Sequence, residues 1–582
     1  MMEQKYKWPN KKIREHVAVI DGVKAPTIVL QNATYLNVFL KRWLQANIWI
    51  YEDRIIYVGE ALPSNDKNTE YVDCSTYFLV PGYIEPHVHP FQLYNPLSFG
   101  QYASLSGTTT VVNDNLVLAL QLRKKKAFSF IREMNRLPVT TYWWSRFDAQ
   151  TEIKKEEEIF STPNIKDWLD QDSVLQGGEL TSWPKLMDGD DLILEWIQET
   201  KRRRKPVEGH LPGASEKTLT KMKLFGVDSD HESMTGEDVK KRISQGYSTA
   251  LRFSSIRPDL PNIIEELEQM DIPYYDHSFF TTDGSTPNFY KEGILDAMIN
   301  IAIEKGVNPI EAYKMATFNT AKHFNIDHLH GSIAPGRIAH INILESKTNA
   351  TPRAVLASGK WMKKFDQTLE YPLNSNLDWK SFDLGPLDLS WDLTIDDLQF
   401  SMALGLQMVN EVIMKPYSVN VDVSGEKLNL EDDQSFLMLI DRNGQWRVNT
   451  IIKGFSHKVS GLVSSYSNTG DIIIIGKNKE DMLFAFERMK AIGGGIVLAE
   501  NQEIVCEISL PIGGMMSEEE MPKLIEEEEV LRQQLMKRGY KFNDPVYTLL
   551  FLSSTHLPYI RITPVGIYDV MNKTVLFPSV MR

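Results

Sequence analysis

The chain has 582 residues, about three to four times a typical domain, so two or more packed units are expected. Its composition is globular, and Lys+Arg 63 against Asp+Glu 77 leaves a net charge of −14, which argues against nucleic-acid or anionic-membrane partners. No apolar run approaches the ~18 residues of a membrane span, the opening MMEQKYKWPNKKIREH lacks an apolar signal core, and Cys74 and Cys506 form no CxxC pair. These features predict a cytoplasmic enzyme or binding protein.

Short runs rich in Ile, Val and Tyr at 27–50 and 55–59 predict strands of a small sheet. The run TYFLVPGYIEPHVHP (76–90) carries one strand through a Pro-Gly turn into a second. From there to about 332, β-like runs alternate with helical stretches such as 298–305 and 309–324. That alternation predicts an α/β fold, a (β/α)8 TIM-type barrel spanning 79–330. GSIAPGRIAHINILES (331–346) and RAVLASGKWM (353–362) return to turns and strands. Joined to the N-terminal strands, they predict one small β-sandwich-like domain from 1–78 and 331–370. Residues 372–388 read as a linker, and 385–582 as a C-terminal α+β domain. One helix there is punctuated by a Ser517–Glu520 capping box and a Gly539 stop, with Glu526 to Glu529 on a solvated face.

The sharpest chemical feature is His87-Val88-His89 at the end of a strand. Residues i and i+2 point to one side of a strand, so both imidazoles can reach one metal ion. His328-Leu329-His330 has the same spacing but lies between a helix and a turn, and reads as surface loop. The first pair is followed by Glu179, His210, His231 and Asp283, each where an apolar run gives way to Gly, Ser, Thr or Pro. In a barrel these are the C-terminal strand ends, where active sites are built. Four histidines and two carboxylates at one mouth suit two divalent metals. Singly, each has an ordinary alternative: Glu179 as a helix cap, His210 and His231 as loop histidines, Asp283 as a turn residue.

Over most of its length the chain resembles the amidohydrolase superfamily and, within it, the adenine deaminase family. VPGYIEPHVHP, SGTTTVVND (106–114), GHLPG (209–213) and DHE (230–232) are similar to barrel-strand motifs. MATFNTA (315–321) with GSIAPGRIA (331–339) is similar to the barrel exit. GGGIVLAENQEIV (493–505) with LPIGGMMS (510–517) resembles the C-terminal domain peculiar to that family. The resemblance implies two divalent ions, Mn²⁺ or Fe²⁺ with Zn²⁺ as an alternative. His87 and His89 would hold the first, His210 and His231 the second, and Glu179 would bridge them. Asp283 would contact the first metal and shuttle protons. A metal-activated hydroxide, its water's pKa lowered toward ~7, would attack C6 of adenine and release ammonia and hypoxanthine.

Glu232 is a candidate second acid, with an exposed helix-end carboxylate as its ordinary alternative. Trp183, four residues after Glu179, is a candidate base-stacking wall, and Arg252 a candidate substrate contact. Several family features are replaced. Pro90-Phe91-Gln92-Leu93 follows the first pair, Asn115-Leu116-Val117 follows Asp114, and His340 stands at the barrel exit. Fewer polar partners for a purine edge leave open another aminopurine or cyclic amide, or an inactive ligand-binding relative. KRRRK (201–205) and RKKK (123–126) read as solvated helix ends, and Gly493-Gly494-Gly495 as a tight turn. His277 and His323 read as structural, and His16, His457 and His556 show no ligand context. A small heterocyclic substrate and a homo-oligomer complete the expectation.

Overall fold

The computed structural model describes residues 9–367, 369 and 377–582; residues 372–376 of the expected linker lie outside these. The first sheet is built from segments on both sides of the barrel. Ile28–Asn37, Arg42–Tyr51, Arg54–Gly59, Glu70–Asp73 and Phe78–Pro81 are joined by Ile341–Leu344, Ala354–Ala357 and Lys360–Lys364. Alternation along these strands turns Leu30, Ile48, Ile50, Leu79, Ile341 and Leu356 into one shared core. Phe78–Pro81 pairs antiparallel with Ile341–Leu344, so the chain enters and leaves the barrel side by side.

Eight parallel strands form the nearly closed barrel: Tyr83–Val88, Thr108–Asp114, Thr140–Ser145, Val174–Leu180, Val207–Gly209, Ser229–Asp230, Ser248–Arg252 and Ser278–Thr281. Almost every residue in them is buried, as strands covered on both faces require. The ladder runs from the first strand to the eighth, and side chains cross the seam between those two. Glu85 on the first strand accepts hydrogen bonds from Thr281 Oγ1 at 2.7 Å, Thr282 N at 3.0 Å and Thr282 Oγ1 at 2.9 Å.

The single helix expected at 309–324 is two, Pro309–Met315 and Phe318–His323. The break has a use: the Ala316 carbonyl turns out to accept the Ile84 N–H at the foot of the first barrel strand. Ile84, Val112, Tyr142 and Leu175 pack there against Phe324 and Ile326. His330 plugs the same end, with Nε2 2.9 Å from Tyr142 Oη and its ring stacked on His340. It is a buried plug, not the surface-loop residue expected, because the chain turns inward at 329–330 and leaves His328 outside.

Downstream, Trp379–Phe382 packs on the barrel helix Lys124–Met134 through Trp379 and Phe130, so this part of the expected linker is anchored rather than free. A nine-stranded sheet then runs in the order Met414–Ser418, Leu404–Met408, Trp446–Lys453, Gln434–Ile440, Ile472–Gly476, Gly461–Ser464, Gly495–Glu500 and Glu503–Ser509, with Val580–Met581 beside Trp446–Lys453. The expected capping box is not formed. The helix begins at Met521, with Pro522 in its first turn, while Ser517 N donates to Leu93 O and Asn95 Nδ2 to Ser517 O. Glu528 departs from the solvated face: it is buried and accepts the Asn288 N–H at 2.5 Å. Both corrections have one cause, since this segment lies against the barrel mouth.

Candidate active site

Each expected donor lies at or just past the C-terminal end of a barrel strand. His87 and His89 end the first strand, Glu179 the fourth, His210 follows the fifth, His231 the sixth and Asp283 the eighth. Their ligand atoms converge. His87, His89 and Glu179 form one group within 4.8 Å, His87, His231 and Asp283 a second, and Glu179, His210 and His231 a third. Glu179 Oε1 lies 2.6 Å from His210 Nδ1 and 3.4 Å from His231 Nε2, and Oε2 lies 3.8 Å from His87 Nε2.

Carboxylates behind the imidazoles fix which nitrogen faces inward. Glu208 Oε2 is 2.9 Å from His87 Nδ1 and its Oε1 is 3.2 Å from His231 Nδ1, while Asp114 Oδ2 is 2.9 Å from His89 Nδ1. A ring nitrogen that donates to a carboxylate leaves the other with a lone pair for a metal. His87 Nε2 and His89 Nε2 then face each other at 3.3 Å, close enough to share a proton or a metal ion. Asp283 Oδ1 sits 3.1 Å from the first and 3.3 Å from the second, yet is buried and hydrogen-bonded to neither. On this geometry the donor set fits divalent metal.

The electrostatics agree. Burial raises the pKa of Glu179 and Asp283, but Arg146 and His210 beside the first, and Arg252 and the imidazoles beside the second, hold both well below the usual range. Burial opposes charge on His87, but Glu208 and Asp283 together outweigh it and lift the imidazole to about 9. A site of buried, ionised carboxylates demands positive charge. Arg146 supplies part of it, with Nη2 2.7 Å from Asp114 Oδ2 and 2.9 Å from Glu179 Oε2.

Arg252 reaches Asp283 Oδ2 at 2.7 Å and Glu232 Oε1 at 2.6 Å, and Arg257 reaches Glu232 Oε2 at 2.9 Å. Glu232 is therefore a buried pocket carboxylate, not an exposed helix end. Burial raises its pKa, but His210, Arg252 and their neighbours bring it down to about 2.

A cavity of about 280 Å³ opens over these groups. Phe91, Leu116, Val117 and Ile256 of the barrel loops line it, and Tyr466, Asn468, Met515, Tyr547, Phe551 and His556 of the C-terminal region form much of its roof. Trp183 is not among its lining. It starts the short helix Trp183–Met187, which carries its ring into an adjoining cavity instead. His556, which showed no ligand context in sequence, stands edge-on to His210 at 5.4 Å.

Sequence reasoning missed Glu208, Arg146 and His556. Glu208 had a signal, since it is a carboxylate on the fifth strand two residues before His210. His556 had none, because a tertiary fold-back brings it to the mouth.

A family model described as the amidohydrolase family matches residues 78–362, and one described as the adenine deaminase C-terminal domain matches residues 411–574. The chain is 53% identical over 582 residues to a Bacillus subtilis protein whose name carries a provisional assignment as adenine deaminase, with 100% of both chains covered. It is 26% identical over 583 residues to the adenine deaminase of Thermosipho africanus, covering 97% of this chain and 99% of that one. A beta-aspartyl dipeptidase structure from Fervidobacterium islandicum aligns with a TM-score of 0.47 at 18% identity, covering 59% of this chain and 99% of that one. The amidohydrolase match over this barrel defines a hydrolase of C–N bonds from a metal-dependent family, and the strand-end donors form a candidate metal cluster. The chain belongs to the adenine deaminase family of amidohydrolases.

Proposed function

We propose that the protein converts adenine and water to hypoxanthine and ammonia. One observation carries this reading: a hydrolase donor set beneath a pocket roofed by the C-terminal region that matches the adenine deaminase model. His87, His89 and Asp283 would hold one ion, His210 and His231 the other, with Glu179 between them. Mn²⁺ or Fe²⁺ would suit a donor set that mixes histidine nitrogens with carboxylate oxygens. When bound, such ions supply Lewis-acid activation of water.

Asp283 Oδ1 faces the histidines while Arg252 holds Oδ2, so Oδ1 is the oxygen that would both contact the ion and take a proton to pass to the departing amine. Arg252 keeps that carboxylate ionised and oriented. Glu232, clamped by two arginines, is suited to accept a hydrogen bond from a purine N–H. Phe91, Val117 and Ile256 exclude water from the ring faces. We further read residues 385–582 as one domain closing over the mouth, and the protein as a cytoplasmic enzyme of purine metabolism, acting on a free small molecule, with self-association as a homo-oligomer.

The test is ammonia release from adenine by protein reconstituted with Mn²⁺, with Asp283→Asn as control. Turnover in the parent that collapses in the control supports the assignment. Silence from a parent holding about two metals per chain overturns adenine. The apolar wall at Leu116 and Val117 then favours another aminopurine or a cyclic amide.

A further inference from the structure

Among the described residues that line the cavity, His556 is the one imidazole with no carboxylate within ion-pair distance. It follows the helix Pro545–Phe551, on a loop tied to the barrel by Thr555 N donating to Gln150 O at 2.9 Å and Thr151 Oγ1 donating to Ser553 O at 2.5 Å. Its ring is braced by edge contacts to His210 at 5.4 Å and to Phe551 at 5.8 Å. Among the described residues its Nδ1 is buried and has no hydrogen-bond partner. The Asn468 Nδ2, in the same cavity lining, is likewise buried without one.

Buried polar groups left unpaired cost stability, and folded chains keep them where a ligand completes the bond. Both residues belong to the C-terminal region and line the cavity, where Val412, Met515, Leu550 and Leu557 supply apolar surface beside them. A few polar groups on an apolar wall are what orient a planar heterocycle.

We propose that His556, with Asn468, contacts the substrate and fixes the orientation of its ring by hydrogen bonds to the heteroatoms distant from the reacting carbon. The inference rests on the adenine reading. It makes the C-terminal region part of the binding site rather than a passive cover. The ligand class is a planar nitrogen heterocycle offering both donors and acceptors on its edge. His556 also lines the adjoining cavity that holds Trp183, so it stands at the junction of the two spaces.

The test compares the parent with His556→Phe, His556→Gln and Asn468→Leu, each metal-loaded. Phenylalanine keeps the edge contacts and removes both nitrogens, and glutamine restores a hydrogen-bonding group. Adenine binding is measured by calorimetry on the Asp283→Asn background, and KM and kcat on the active background, with metal content and the thermal midpoint recorded. We expect Kd and KM to rise about tenfold in His556→Phe and Asn468→Leu, the effect of one lost neutral hydrogen bond at its upper end. Metal content should hold, and His556→Gln should recover part of the loss. Kd and KM unchanged in His556→Phe, or a rise that tracks metal loss, overturns the proposal while leaving the adenine reading intact. A parent that neither binds nor turns over adenine overturns both.

Discussion

Glu85 on the first barrel strand accepts both the backbone N–H and the hydroxyl of Thr282 at the end of the eighth, at 3.0 and 2.9 Å. Thr282 is the residue before Asp283, and His87 lies two residues after Glu85, so one carboxylate sets the spacing between two of the site's donors. Burial raises the Glu85 pKa to about 7 against these hydrogen bonds. Replacing it with alanine orphans buried donors, each at a cost of about 1–3 kcal/mol. Glu85→Ala should therefore lower the thermal midpoint, and kcat should fall more than KM changes because Asp283 loses its register. A variant with parental kcat would mean that the backbone alone holds the seam.

Glu208 holds His87 and His231 together, one oxygen on each Nδ1, and takes a third bond from Gln176 Nε2 at 2.7 Å. Glu208→Gln removes the charge and presents an N–H to one of the imidazoles. Metal affinity should fall about 10- to 100-fold, the usual effect of losing such a partner. Metal retained after dialysis against a graded chelator series measures this directly. Parental retention would show that packing on Trp144, 4.4 Å from the His87 ring, suffices to orient the imidazole.

The barrel was legible in the sequence because its strands are short buried runs ending in turn residues, and the donors sit at those ends. His87, His89, Glu179, His210, His231 and Asp283 converge in space for that reason, and Arg252 joins them from the seventh strand. Local signals failed where the C-terminal region meets the mouth. Ser517 and Glu528 have the spacing of a cap and a solvated face, but contacts to Leu93, Asn95 and Asn288 override it. Trp183 follows Glu179 closely in sequence, yet the turn at 181–182 carries it out of the pocket. His556 reaches the site through tertiary packing alone, which no spacing rule encodes.

Arg252 orients Asp283 by one Nη2 contact while its Nη1 binds Glu232. Because Arg252 touches Asp283 only at Oδ2 and none of the histidines or Glu179, Arg252→Met should leave most of the metal content in place while loosening the orientation of Asp283. A proton-transfer group that loses its alignment forfeits much of its contribution, about 10²- to 10⁴-fold in rate. Arg252→Lys should not restore it, since one ammonium cannot span both carboxylates as the guanidinium fork does. Steady-state kinetics beside metal analysis separates this outcome from site collapse. A loss confined to KM would reassign Arg252 to substrate binding alone.

Away from the site, Asp471 lies buried in the C-terminal region, with the Arg442 N–H 3.3 Å from its Oδ1. Burial pushes its pKa up to about 7, outweighing the hydrogen bonds that favour the charged form. A carboxyl whose folded pKa is raised binds its proton more tightly in the folded chain. Its favourable contribution is therefore complete below the ordinary pKa near 3.8 and is lost as pH rises toward about 7. Asp471→Asn keeps the acceptor and never ionises. Its stability relative to the parent should grow between pH 4 and pH 7 and level off above, by on the order of a few kcal/mol at most. Urea unfolding midpoints of the two proteins at pH 5 and pH 8 test the slope. A difference that is constant across that range would mean that Asp471 is ionised throughout and that solvent or Arg442 stabilises its charge.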